Sequence, residues 1–374
     1  RRNPGLVAAG AVGLVALVLS AATVSVALVR TNAARRSEAA ALTRAETAAD
    51  KQARINAFLR EMLTSVDPGR AGRDMRVTEL LDDVSARIPV EFEAYPVLRA
   101  GLHATVAETA WRLGDGGRAR SEAGRAIRLL RPVGDGEAGR ELARALTLMG
   151  GVHLTAQRMD EAASALDEAE RVARAWAPDD AVLHAKIAVN RAAVDLQAGA
   201  SGRADERLGG VIAELEGHRS IEAARLRLQA MVSRGVALRR LGRPGEALAL
   251  YERALPLLNE RRGPTHPDTL ACLTNRAEAL WDLERHAEAL DEMRRVVELR
   301  RRVFGPDHER VGVAVNNLAD ALRQIGRHDE AAPLYGEAID IFRGALGAEN
   351  LRVASVTHNL GVMLLDQGDA VAAR

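Results

Sequence analysis

Gly263–Phe304, GPTHPDTLACLTNRAEALWDLERHAEALDEMRRVVELRRRVF, is followed at once by a second version of itself. This is Gly305–Leu346, GPDHERVGVAVNNLADALRQIGRHDEAAPLYGEAIDIFRGAL. Gly263, Gly305 and Gly347 lie 42 residues apart. A fixed period in this range predicts a solenoid, because no single unit of this size can bury its own apolar face and neighbouring units must share a core.

Each unit reads as two helices. We predict helix A at about Thr269–Leu283 and helix B at about Ala287–Val303, which stops at Gly305 and Pro306 because Gly takes up the cap conformation and Pro cannot continue a helix. Small residues that would let helices approach closely recur at fixed points, namely Ala277, Ala319, Gly361, Ala289, Ala331 and Ala373.

This pattern resembles the tetratricopeptide repeat, in its small residue in helix A, its Gly at the turn, its early Ala in helix B and the aromatic residue that follows, seen here as Tyr251 and Tyr335. The period and the GPxH-like loop resemble the kinesin-light-chain subtype. Arg276 and Glu284 depart from the pattern. The resemblance implies an all-α fold, a right-handed superhelical solenoid of antiparallel helix pairs.

Composition agrees with helices and excludes some functions. Hydrophobic residues make up 47% of the 374 residues but aromatic residues only 3%, so the core must consist of Ala, Leu and Val. A net charge of +1 gives no field for nucleic acid. The single cysteine, Cys272, permits neither an intramolecular disulfide nor a zinc site.

The segment Leu6–Val29 contains no charged residue in 24 positions. Because about 20 apolar residues cross a bilayer core as a helix, this segment predicts a single transmembrane helix and a cell-membrane protein that contacts lipid there. A small-residue row at Gly5, Ala9 and Gly13 would allow a dimer through this helix. Arginines flank both ends, so charge does not orient the span.

A helical stalk with an apolar stripe follows, from Thr31 to Val66. The order of span, stalk, the run from Phe58 to Ile88 and the repeats is similar to the region after the kinase domain in bacterial membrane-anchored serine/threonine protein kinases. That resemblance implies a kinase domain before Arg1 and a repeat array on the extracytoplasmic side. The chain itself lacks kinase motifs, so we predict that it is not an enzyme.

The predicted organisation has three parts. Residues 1–30 form the transmembrane helix with its flanks, residues 31–94 the helical stalk, and residues 95–374 the repeat array. Within the array the phase of the small residues predicts units at 97–131, 140–175, 182–218, 222–262, 263–304 and 305–346, with an incomplete unit at 347–374.

No residue pattern in the sequence predicts a catalytic, cofactor or metal site. His266 and His308 recur at one phase of the repeat. Since they recur with the architecture, we interpret them as residues that cap or pack a loop. Carboxylates alternate with arginines along helix faces, as on solvated surfaces.

Binding residues are better candidates. Asn190, Asn275, Asn317 and Asn359 share one position in helix A. In peptide-binding tetratricopeptide domains this position contacts the ligand backbone. Alternatively, the amide bonds within its own repeat or is simply exposed to solvent. Nearby Arg239, Arg240 and Arg323 could meet acidic groups. The resulting hypothesis is a scaffold whose concave groove binds a protein or peptide, as the docking region of a kinase signalling protein. The alternative is a structural self-assembly or spacer module without a peptide ligand.

Overall fold

The computed structural model describes residues 77–134 and 136–366. Within these residues the chain forms fourteen α-helices and no β-strand, which confirms the all-α prediction. The helices are α1 (Val77–Glu91), α2 (Pro96–Arg112), α3 (Gly116–Leu130), α4 (Gly136–Thr155), α5 (Met159–Trp176), α6 (Ala181–Gln197), α7 (Ser201–Glu214), α8 (Ile221–Arg240), α9 (Pro244–Arg262), α10 (Pro267–Asp282), α11 (His286–Phe304), α12 (Glu309–Gln324), α13 (His328–Leu346) and α14 (Leu351–Asp366).

The helices from α2 to α13 form six consecutive pairs. The first helix of each pair (α2, α4, α6, α8, α10, α12) is called its A helix, and the second its B helix. Each A helix packs against the B helix of its own pair, and each B helix packs against the A helix of the next pair. Helix α14 packs against α13 in the position of a further A helix. This is the packing that the sequence period predicts for a solenoid.

The second part of α1 is tied to the first pair by buried polar side chains. The chain divides into two units between Val84 and Ser85, inside α1, and the pairs lie in the second unit. Ser85 Oγ donates to Glu122 Oε1 at 2.6 Å, and His103 Nδ1 lies 2.6 Å from Glu122 Oε2. Burial alone would raise the pKa of Glu122, but the hydrogen bonds from His103 and Ser85 lower it below its usual value. The buried carboxylate therefore stays charged and joins three helices.

Glycines end three of the B helices. Gly263, Gly305 and Gly347 have φ values of 86°, 84° and 89°, a region that side-chain-bearing residues rarely adopt. Their backbone N–H groups bond to carbonyls of the preceding turn and so close the helices. The glycines that recur with the period are thus required by the geometry of the turn between pairs.

The side chain three residues after each of these glycines caps the next A helix. The Nδ1 atoms of His266 and His308 each accept a hydrogen bond, 3.1 Å long, from the backbone N–H two residues on. Asn350 Oδ1 does the same at 2.9 Å. The interpretation of the two histidines as architectural residues is confirmed, since the cap satisfies donors that a helix N-terminus leaves unpaired.

Small residues in the A helices make room for large ones in the B helices. A Cβ atom on Gly235 of α8 would lie 2.3 Å from Cζ of Tyr251 of α9, so the ring occupies the space that the glycine leaves. Ala319 of α12 and Tyr335 of α13 hold the same two positions two periods later, and both are fully buried. The core is built mainly from such alanines and from leucines, and one cluster runs from α8 to α14.

The predicted transmembrane helix, Leu6–Val29, lies outside the described residues. Among the helices that are described, none has the length and apolar content needed to cross a bilayer. Each of them includes charged residues as well as buried apolar ones. The predicted localisation as a single-pass membrane protein is wrong for this part of the chain.

Candidate functional site

The A helices form one continuous face, and this face opens between α10 and α12. Consecutive A helices pack directly against each other at every step from α2 to α10. Between α10 and α12 this packing is nearly absent, and a cavity of about 250 Å³ lies there instead. We call it the Met293 cavity. Its lining residues are Arg239, Thr274, Glu278, Trp281, Asp282, Met293, Val296, Arg300, Ala314, Asn317, Asp320, Ala321 and Gln324.

One residue of the repeat accounts for the opening. Tyr251 and Tyr335 stand one period before and one period after Met293, and both rings are fully buried. Met293 is half-buried and borders the cavity. Because the aromatic ring is missing from this pair, the space between α10, α11 and α12 is not filled. We call the two apolar lining residues of α11, Met293 and Val296, the floor of the cavity.

Acidic and basic side chains surround this floor. Arg239 of α8 pairs with Glu278 and, at 2.7 Å, with Asp282, both on α10. Burial would lower the pKa of Arg239, but its bonds to Asp282 and Glu278 raise it. The guanidinium is thus charged and neutralised locally. It joins two A helices at one end of the cavity.

Asp320 borders the other side and already has three donors within the chain. It accepts a hydrogen bond from the Tyr335 hydroxyl at 2.5 Å, from Asn316 Nδ2 at 3.0 Å and from Asn359 Nδ2 at 3.3 Å. Burial, together with the bond to Asp320, raises the pKa of Tyr335 far above its usual value. This network holds Asp320 in the wall of the cavity. A ligand would therefore bond to other groups of the lining.

The structure places two of the predicted peptide-binding residues at this cavity, Asn317 and Arg239. Asn317 is exposed on α12, with no hydrogen bond from its amide among the described residues. Asn275 is half-buried one residue beyond Thr274, which does line the cavity. The amide of Asn317 therefore has both a donor and an acceptor free.

The other predicted residues have partners within the chain. Asn190 Nδ2 donates to the Thr147 carbonyl at 3.4 Å, Arg240 to the Leu196 carbonyl at 2.6 Å, and Arg323 to the Tyr335 hydroxyl at 3.3 Å. Asn359 donates to Asp320, as described above. Two of the four members of the shared Asn position thus bond to the preceding repeat and not within their own repeat. Peptide binding by all of these residues stays a prediction.

A second cavity, of about 340 Å³, lies on the same A-helix face between α2, α4 and α6. Its border carries more charged residues than that of the Met293 cavity. Three of them pair with one another, since Arg144 contacts Glu141 at 2.9 Å and Asp180 at 3.2 Å. Of these two cavities, the Met293 cavity has the fewer charged residues on its border.

Metal ligands and a reactive thiol are the remaining groups to consider. Within 77–134 and 136–366, no group of histidine, cysteine and acidic residues is placed to hold a metal ion. Cys272 is fully buried, and burial raises the pKa of its thiol to about 12, so the thiolate that reacts as a nucleophile is not formed near neutral pH.

The comparison with a family model agrees with the helix pairs described above. The model described as tetratricopeptide repeat matches residues 226–301, 271–344 and 313–374. Together the three matches run from residue 226 to residue 374. These repeats contain the Met293 cavity together with the tyrosines on either side of it. No curated protein matches the sequence.

Solved structures share the helical-repeat fold. A STAND protein with a tetratricopeptide repeat sensor, PH0952 from Pyrococcus horikoshii, has a TM-score of 0.56 at 12% identity, over 86% of this chain and 51% of that one. NprR, in complex with its cognate peptide NprX, has a TM-score of 0.52 at 14% identity, over 87% of each chain. At these identities the similarity shows the fold alone.

The structure is also similar to the nearly identical TPR-like repeats of a kinesin light chain from Podosopora anserina. The TM-score is 0.46 at 21% identity, over 52% of this chain and 92% of that one. The assignment of the repeats to the kinesin-light-chain subtype and the link to a serine/threonine kinase stay predictions.

Proposed function

We propose that the tetratricopeptide repeats bind an extended peptide segment of a protein partner on the A-helix face, with one of its side chains in the Met293 cavity. Small-molecule sites commonly measure about 300–1,000 Å³. A cavity of about 250 Å³ is smaller than these and suits a single side chain. Its apolar floor favours an apolar side chain.

The observation that carries this proposal is the missing ring at Met293. Solenoid interiors pack closely, and an unfilled volume lowers stability. Here the unfilled volume is open to the A-helix face and lies beside an unpaired amide, Asn317. An extended peptide needs both features, because its side chain requires an apolar recess and its backbone requires a donor and an acceptor.

The structure of NprR was solved with a peptide bound. It supports the proposal only through the similarity of its fold. An array of comparable architecture can therefore accommodate a peptide. Which residues of this chain would contact one is argued from the cavity alone.

Selection of a displayed library of random peptides on the full chain tests the proposal. Peptides that bind should lose at least about tenfold in affinity for Asn317→Trp, because the indole would cover the cavity mouth. Ala345→Trp is the matched control, since Ala345 is also exposed and borders none of the cavities described here. Binding that is equal in both variants, or a library that yields no binder, would contradict the proposal.

Light scattering of the full chain, together with the peptide selection, distinguishes the proposed peptide binding from self-assembly. If the array only spaces or joins other parts, the chain should form oligomers in light scattering and select no peptide. A monomeric chain that selects peptides sensitive to Asn317→Trp would support binding instead.

A role as the docking region of a serine/threonine kinase signalling protein rests on the order of the run from Phe58 to Ile88 and the repeats. The coding sequence upstream of Arg1 tests it. A kinase domain in the same reading frame supports this role, and any other upstream sequence contradicts it.

A further inference from the structure

Three arginines border a cavity of about 300 Å³ at the end of the array face where the later A helices begin. Arg300 lies near the end of α11, Arg310 in the first turn of α12 and Arg352 in the first turn of α14. We call this space the arginine cavity. Its remaining lining residues are Pro267, Leu270, Ala271, Phe304, Glu309 and Val313.

None of the three arginines forms an ion pair with a carboxylate among the residues that the structure describes. Other arginines of α11 do: Arg294 lies 3.5 Å from Glu330, and Arg301 contacts Glu337. Three guanidinium groups thus face one cavity whose border contributes a single carboxylate, Glu309. The imbalance of charge is local, since the chain as a whole has a net charge of only +1.

The arginines are held in place without being neutralised. Arg310 lies over the Phe304 ring, 5.1 Å from its centroid, and Arg352 lies over the Phe342 ring at 5.7 Å. Stacking on a ring occupies the face of a guanidinium and leaves its in-plane N–H groups free to donate. The two cations are therefore oriented before any ligand arrives.

Arg300 is the most constrained of the three. It donates to the Arg310 carbonyl at 3.0 Å and to Thr274 Oγ1 at 3.3 Å, both neutral acceptors. Burial and then the neighbouring charge of Arg310 lower the pKa of Arg300. An anion beside it would offset both effects.

Arg300 also connects the two cavities, because it borders the Met293 cavity as well. The arginine cavity has apolar walls at Leu270, Phe304 and Val313. A free inorganic anion would make no use of those walls or of the connection, whereas an extended chain would use both. The N-termini of α12 and α14, which also favour negative charge, lie at the same end.

We propose that an acidic segment of the partner places its Asp or Glu side chains against Arg300, Arg310 and Arg352, while the adjoining residues of the same segment reach the Met293 cavity. This proposal rests on the proposed function and specifies the chemistry of the ligand: a carboxylate-rich peptide. Guanidinium groups bind carboxylates through paired N–H donors, which gives both strength and direction.

Fluorescence anisotropy with a labelled Glu-rich peptide tests the proposal on the full chain. The double variant Arg310→Gln/Arg352→Gln should bind this peptide at least about tenfold more weakly than the natural chain, since each lost charge-assisted bond weakens binding. The control is Arg301→Gln/Arg302→Gln, which removes the same charge from exposed arginines of α11 outside both cavities. The control should bind as the natural chain does.

Equal weakening in both double variants would show binding to net charge and would overturn the proposal. So would a natural chain that does not bind the Glu-rich peptide, or one that binds the Gln counterpart of that peptide equally well. Displacement of the peptide by an equal concentration of inorganic phosphate would likewise overturn it in favour of a simple anion site. If library peptides sensitive to Asn317→Trp still bind the arginine variants normally, the acidic ligand fails and the proposed function stands.

Discussion

The two copies of the repeat, Gly263–Phe304 and Gly305–Leu346, share their period, turn glycines and caps, yet they pack differently. In the second copy the Tyr335 ring is fully buried, and its hydroxyl donates a hydrogen bond to Asp320. In the first copy Met293 stands at this position and borders a cavity. The comparison teaches that one side chain decides whether a repeat is closed or open, while the backbone plan stays the same.

A second difference lies between the helices of each copy. Arg276 and Glu292 of the first copy form an ion pair at 2.5 Å, and the Glu292 side chain is only 8% exposed. Leu318 and Leu334 hold these positions in the second copy, where α12 and α13 contact each other more extensively than α10 and α11 do. The first copy thus replaces an apolar contact by a polar one next to its cavity.

Opening the second copy should have the largest effect. Tyr335→Ala removes a fully buried ring and the partner of Asp320, so we expect the free energy of unfolding to fall by about 3–5 kcal/mol. Urea denaturation followed by circular dichroism measures this. Tyr335→Phe, which keeps the ring, should lose only about 1–2 kcal/mol. Equal losses in the two variants would show that the ring is not what closes the copy.

Replacing the Arg276–Glu292 pair of the first copy by leucines should have a smaller effect on stability, and the effects of the two substitutions should not add. Arg276→Leu alone leaves Glu292 buried without its partner and should cost about 1–3 kcal/mol. Adding Glu292→Leu should recover most of that loss, because the pair then becomes the leucine pair of the second copy. Denaturation of both variants measures the coupling, and additive losses would contradict this account.

Substitutions at the turn between helix A and helix B should have the smallest effect on the free energy of unfolding. Glu284 has a φ of 60°, whereas Gly326 holds the corresponding position of the second copy. Because a residue with a Cβ atom is strained there, Glu284→Gly should raise the free energy of unfolding by about 1 kcal/mol. Gly326→Glu should lower it by a similar amount. An unchanged melting temperature in both variants would show that this turn stores no strain.

Much of the fold could be predicted from the sequence because it depends on local rules. The period, the cap positions and the glycines between pairs follow from backbone geometry. Helix A of the first copy, expected at about Thr269–Leu283, is observed at Pro267–Asp282, and helix B, expected at about Ala287–Val303, at His286–Phe304. The ends differ because Pro267 and His286 can begin helices, which apolar periodicity does not register.

The candidate site could be predicted only in part. The shared Asn position led to Asn317, but the partners of Asn190 and Asn359 depend on contacts with neighbouring repeats. Arg239 could be predicted as a candidate from its place on helix A. Arg300 and Arg310 could not be predicted as binding residues, because their lack of carboxylate partners is a property of the fold. The sequence shows Met293 at the position of Tyr251 and Tyr335, but it does not show the cavity that borders Met293 in the structure.

The central claim is that the missing ring at Met293 leaves a binding recess. The most direct measurement is calorimetric titration of a library-selected peptide into the Met293→Tyr variant of the full chain. Tyrosine should fit beside Ala277 as Tyr335 fits beside Ala319, with Glu278 in the place of Asp320. We expect affinity to fall at least about tenfold, while the volume-conserving Met293→Leu stays close to the natural chain. Unchanged affinity in a folded Met293→Tyr variant would contradict the account.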